Sequence, residues 1–153
     1  MTRHHRNLAV LLCLLWGMGA TAHELWLEAE TWQVQPGQST PVNIINGEEF
    51  AGVRLGYFPN RVKRFDIAVG SAVAPVQARA GDTPALTLMA ASSGLHVVLY
   101  EPEVSRITYN EWDKFLAFAE HKIFADIATR HHDLGAPRDG FDEAYTRLAM
   151  ALI

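Results

Sequence analysis

The sequence predicts a mainly β protein, an immunoglobulin-like antiparallel β-sandwich followed by two or three α-helices. Apolar residues recur with period two from Glu24 to Tyr109. Turn signals punctuate that stretch roughly every eight to twelve residues. The period then changes once, at Asn110, to the 3.6 of an amphipathic helix.

The first 22 residues read as a secretory signal. Arg3 and Arg6 supply the positive start, Leu8 to Met18 is an uncharged apolar run, and Ala20-Thr21-Ala22 offers small residues for cleavage. As a helix that run rises only about 16 Å, short of the ~30 Å a membrane core demands. No later stretch holds the ~20 consecutive apolar residues of a transmembrane helix. The mature chain is therefore expected to start at His23 and to work in the periplasm, with no transmembrane segment after cleavage. Its single cysteine, Cys13, leaves with the signal, which excludes disulfides and thiolate chemistry.

Strands are predicted near 24–29, 31–35, 39–46, 53–58, 62–69, 73–79, 85–91, 95–101 and 104–109. Pro36-Gly37, Asn46-Gly47, Pro59-Asn60, Gly70-Ser71 and Gly81-Asp82 supply the fixed or positive φ of the reversals between them. Both faces of 95–101 are apolar, as expected of a central strand. Beyond Asn110, Trp112, Phe115, Leu116, Ala119 and Ile123 form one helical stripe. Asn110 reads as the N-cap, with Asp113 suiting the helix dipole. That helix is expected to run through Ile127 to about His132 and to stop at Gly135-Ala136-Pro137. A second is expected from Asp139, with Phe141, Tyr145, Leu148 and Leu152 on one face. The predicted organisation is thus a signal over 1–22, a β-sandwich over 23–109 and a helical extension over 110–153. The uncapped apolar end, Leu148 to Ile153, is expected to pack on the sandwich or to await a partner.

Composition narrows the function. Thirteen basic residues against seventeen acidic give a formal charge of -4. Losing Arg3 and Arg6 leaves eleven against seventeen, or -6 for the mature chain. Nothing here neutralises phosphates, so nucleic acid is not an expected partner. The sequence has no G-x-S-x-G elbow, no phosphate-binding or dinucleotide glycine motif and no H-E-x-x-H.

The feature with most chemical content arises from cleavage itself. At a mature N-terminus, the α-amine and imidazole of His23 can close a chelate ring on a metal ion. Such a nitrogen pair suits Ni, Co, Cu or Zn and disfavours Ca or Mg. Further ligands would come from His96, His121, His131 or His132. His121 and His131 lie ten residues apart, about 80° apart around a straight helix. His96, central in a strand, serves equally well as a hydrogen-bonded core histidine, and His132 reads as solvated. Glu24, Glu28 and Glu30 alternate as a solvated face would, whereas Glu48-Glu49 are placed to line a site mouth. Trp26, Trp32, Trp112, Phe115 and Phe118 are expected in the core.

His23-Glu24-Leu25-Trp26-Leu27-Glu28 behind a signal resembles a family of uncharacterised periplasmic bacterial proteins related to the periplasmic component of nickel and cobalt uptake systems. Asn46-Gly47-Glu48-Glu49-Phe50-Ala51-Gly52, Glu111-Trp112-Asp113-Lys114-Phe115 leading into His121-Lys122, and Gly140-Phe141 through Tyr145-Thr146-Arg147 to Leu152-Ile153 resemble its pattern too. The resemblance implies a non-enzymatic metal-binding role beside a membrane metal-uptake complex, with His23, His121 and His131 at family histidine positions. Family members usually continue into a second β-rich region, which is absent here. Two other readings stand beside it: a copper-dependent oxidative enzyme with an N-terminal histidine chelate, and a structural β-domain in which no histidine binds metal.

Overall fold

The computed structural model describes residues 23–153; the segment read as a signal, with Cys13, lies outside them. The chain is mainly β, with antiparallel sheets and two α-helices. In chain order the elements are β1 (Glu24–Ala29), β2 (Ser39–Glu48), β3 (Ala51–Leu55), a 3-10 turn (Pro59–Arg61), β4 (Val62–Val69), β5 (Ala72–Pro75), β6 (Leu86–Met89), β7 (His96–Pro102), β8 (Ser105–Tyr109), α1 (Trp112–His121), α2 (Ile127–Asp133), β9 (Phe141–Tyr145) and β10 (Ala149–Leu152). One four-stranded sheet runs β1-β2-β3 with β6 also pairing β2. A second runs β10-β7-β4-β5, and β8 pairs with β9 alone.

The alternation read in the sequence becomes a core shared by both four-stranded sheets. Leu27, Val42, Ile44 and Leu88 from the first meet Phe65, Val98, Tyr100, Ala149 and Ala151 from the second in one buried cluster. Each fully buried branched side chain there contributes about 1.5–3 kcal/mol. The central place predicted for 95–101 is seen, with β7 between β4 and β10.

Four expectations need correction. Residues 31–35 form no strand: the Thr31 amide is taken by Thr40 Oγ1 at 3.0 Å, and Gly37 N–H bonds Ala90 O at 2.7 Å as the chain swings round. The hairpin reverses not at Asn46-Gly47 but at Glu49-Phe50, both at positive φ, 51° and 60°. Extending β2 to Glu48 gives every residue of β1 a partner, from Glu24↔Gly47 to Ala29↔Val42. Gly47 then faces Gly52 so closely that a Cβ on it would strike the Ala51 carbonyl, which explains the glycine without a turn.

The long helix through Ile127 to His132 is broken. α1 ends at His121, Ile123 and Asp126 adopt positive φ, and α2 turns back. A straight helix would carry His131 about 24 Å from Phe115, yet their rings lie 5.7 Å apart. Burying that aromatic contact outweighs the strain of a β-branched residue at Ile123, of order 1–3 kcal/mol. The helix also starts one residue later than expected: Glu111 takes the cap position without a side-chain cap bond, and Asp113 lies in the first turn.

Last, residues from Asp139 onward are strand rather than helix. Period 3.6 and period 2 both fit Phe141, Tyr145 and the alternating tail. Pairing decides, because β9 registers Phe141↔Tyr109 on β8 and β10 registers Ala151↔Val98 on β7. Ala149 and Ala151 point into the core while Met150 and Leu152 face outward. The apolar tail is therefore a sheet strand.

Residues between β7 and β10 form a lobe of β8, α1, α2 and β9. It has its own small core: Tyr109, Phe115 and Phe141 pack with centroids 5.1–5.5 Å apart, closed by Trp112 and His131. Neighbouring segments, Glu103-Val104 and Thr146 to Leu148, join the lobe to the body.

Candidate functional site

A cleft of about 650 Å³ opens where lobe meets body. The body contributes His23, Glu24 and Leu25; the lobe contributes Ile107, Phe118, Lys122, Phe124, Glu143 and Tyr145; Arg147 and Leu148 of the connecting segment complete it. Junctions of this kind, apolar with a few converging polar groups, are where small-molecule sites concentrate. A hollow of similar size, about 630 Å³, lies beside the 77–87 loop, but its charged residues Arg79 and Asp82 pair with each other at 3.6 Å.

Arg147 ties the two parts together. Its Nη1 donates to Asn46 Oδ1 on β2 and its Nη2 to the Tyr145 hydroxyl on β9, both at 3.1 Å. Its guanidinium also lies 5.2 Å from the Tyr145 ring centroid. Glu143 accepts from the Tyr109 hydroxyl at 2.9 Å. Burial, then this carboxylate, pushes the Tyr109 phenol well above the ordinary range.

The histidines are dispersed. His23 is exposed on the cleft wall, and no hydrogen bond engages its ring among the described residues. His121 ends α1 next to Lys122 and one turn from Phe118, both in the wall, but does not line the cleft itself. His96 is 5% exposed and its Nδ1 donates to Gly94 O at 3.0 Å. His131 donates from Nε2 to Pro137 O at 2.7 Å, with its ring 4.5 Å from Phe141 and 4.8 Å from Trp112. A carbonyl only accepts, so each of these two bonds fixes the proton on the nitrogen named. His132, as read, is exposed. Among the described residues no three His, Cys, Asp or Glu side chains gather into a metal-holding group.

Glu24 is exposed as a solvated face requires, and Glu48-Glu49 lie at the hairpin tip, away from the cleft wall. Phe115 is core, while Trp32 is 48% exposed and Phe118 lines the cleft. Sequence reasoning named Lys122 and Arg147 only within the resembling pattern and assigned no role to them or to Glu143. The signal for Lys122 lay in its adjacency to the helix end; Arg147 carries none, since its partners come from strands about a hundred residues apart in sequence.

Comparison of the chain with protein-family profiles, curated proteins and solved structures finds no match.

Proposed function

We propose that the chain is a periplasmic binding module, exported by cleavage after Ala22, that carries a divalent transition metal to a membrane uptake complex. In this reading the two four-stranded sheets are the layers of an immunoglobulin-like sandwich that presents the metal at its lobe junction. Nickel or cobalt is the proposed cargo, and copper and zinc share the ligand chemistry. The observation that carries the reading is the free, exposed ring of His23 on the cleft wall, beside the engaged rings of His96 and His131. After cleavage, His23 offers its α-amine and Nδ1, which close a six-membered chelate ring on a metal, and the Glu24 carboxylate stands next in the chain. The donor set fits a nitrogen-preferring ion to that extent, and His121, which precedes Lys122 of the wall in the chain, is the nearest further histidine by chain position.

Mass spectrometry of the exported protein should give His23 as its first residue. Calorimetric titration of Ni or Cu should then show binding that is lost both in His23→Ala and in a form with one residue added before His23, because either change breaks the chelate. Binding should weaken below about pH 6 as amine and imidazole take up protons. A different N-terminus, or equal affinity in all forms, overturns the reading and leaves a structural β-domain.

A further inference from the structure

The cleft has a second chemistry that needs no metal. Phe124 and Leu148 are 53% and 61% exposed and Ile107 39%, so its wall leaves apolar surface in water. Lys122 and Arg147, both half-buried, stand on the same wall. Among the described residues neither forms an ion pair: the salt bridges join Lys63 to Glu101, Arg64 to Asp66, Arg79 to Asp82, Lys114 to Glu111 and His132 to Asp133. Arg147 bonds only neutral partners, Asn46 and Tyr145. Of the two acids in the wall, Glu143 is engaged by Tyr109 and Glu24 sits exposed at the rim. Four of the eleven Lys and Arg among the described residues hold an acid in an ion pair and five more stand exposed in water; Lys122 and Arg147 alone are half-buried without an ion-pair partner, and so mark a place for an incoming carboxylate.

We propose that the cleft binds a small monocarboxylate with an apolar body. Lys122 and Arg147 neutralise its carboxylate, while Ile107, Phe118, Phe124 and Leu148 cover its body. Burying the body removes apolar surface from ligand and wall together, and the two cations discriminate the acid from a neutral molecule of the same shape. Because the ligand bridges body and lobe, its binding also holds the two parts together.

Octanoate is the probe, titrated calorimetrically into the purified protein with a chelator present, so that failure of metal binding at His23 leaves this experiment intact. The expected result is one site that prefers octanoate to 1-octanol by about tenfold or more, and weakens by about tenfold in Lys122→Gln but not in Lys122→Arg. Ile107→Glu, which places a negative charge in the wall at a part-exposed position, should abolish binding while thermal unfolding stays near wild type. Equal affinity for octanoate and octanol, unchanged binding in Lys122→Gln, or no binding by a folded protein overturns the proposal. So does a self-associated protein whose dimer, dissociated by Phe124→Ser, covers the cleft in place of a ligand.

Discussion

Tyr109 shows how one residue couples the lobe core to the cleft. Its ring stacks on Phe141 at 5.5 Å and its hydroxyl reaches the Glu143 carboxylate of the cleft wall. Burial raises its pKa above the ordinary value near 10, and the carboxylate raises it further. The unfolded phenol ionises first, so the stabilisation is present in full below about pH 10 and is lost as pH climbs toward the higher folded value. Tyr109→Phe should cost about 1 kcal/mol at neutral pH, the net worth of the bond. It should also flatten the alkaline loss of stability, read by denaturant unfolding between pH 8 and 11. An alkaline profile unchanged by the substitution would mean that the phenol is not the group responsible. Tyr100, shifted upward first by burial and then by the neighbouring Tyr57, stays in both proteins as an internal reference.

Among the elements, α1 matters most because its stripe holds from Trp112 to Ala119 but not to Ile123, which stands 88% exposed beyond the helix end. Phe115 and Ala119 are buried as the spacing i, i+4 demands. Trp112, first on that stripe, is only half-buried, since the lobe edge leaves one face open and Arg138 covers it at 5.2 Å. Phe115→Ala should therefore cost about 3–5 kcal/mol and Trp112→Ala visibly less, about 1–3 kcal/mol. Urea midpoints followed through near-ultraviolet dichroism of the lobe aromatics would show it. Equal losses would place Trp112 deeper than its exposure implies. Nothing in Lys122 to Asp126 announces the break after α1, because the residues at positive φ, Ile123 and Asp126, lack glycine's freedom. Contact between His131 and the α1 aromatics imposes it from outside the segment.

For the whole molecule, the tail decides how the fold is held. β10 belongs to the same sheet as β7 and supplies Ala149 and Ala151, 4% and 1% exposed, to the shared core. A helical tail would bury Leu148 and Leu152 together, whereas the strand exposes them by 61% and 57%. Ala151→Asp should thus cost upward of about 3 kcal/mol by placing a charge without a partner in the core. Leu152→Lys should change thermal stability by no more than about 0.5 kcal/mol. The reverse ranking would restore the helix. The same strand pins the far end of the lobe to the body, which keeps Arg147 between Asn46 and Tyr145 and so shapes the cleft.

The amino-acid sequence by itself determined the β character, most strand positions from Glu24 to Tyr109, the central place of 95–101 and the helical stripe from Trp112. Each of these is a local period or a local apolar balance, and local patterns survive whatever surrounds them. It also singled out His23, because the proposed N-terminal chelate is a matter of chain position. Tertiary structure alone decided the rest. Whether Phe141 to Ile153 is helix or strand depended on partners at Tyr109 and Val98, far away in the chain. Where the hairpin turns depended on matching the length of β1, and where α1 stops depended on aromatics that α2 returns to meet. The cleft is the extreme case: its two cations, Glu143 and most of its apolar wall lie scattered through 107–148, His23 to Leu25 come from about eighty residues earlier, and nothing in their spacing shows that folding brings them to one junction.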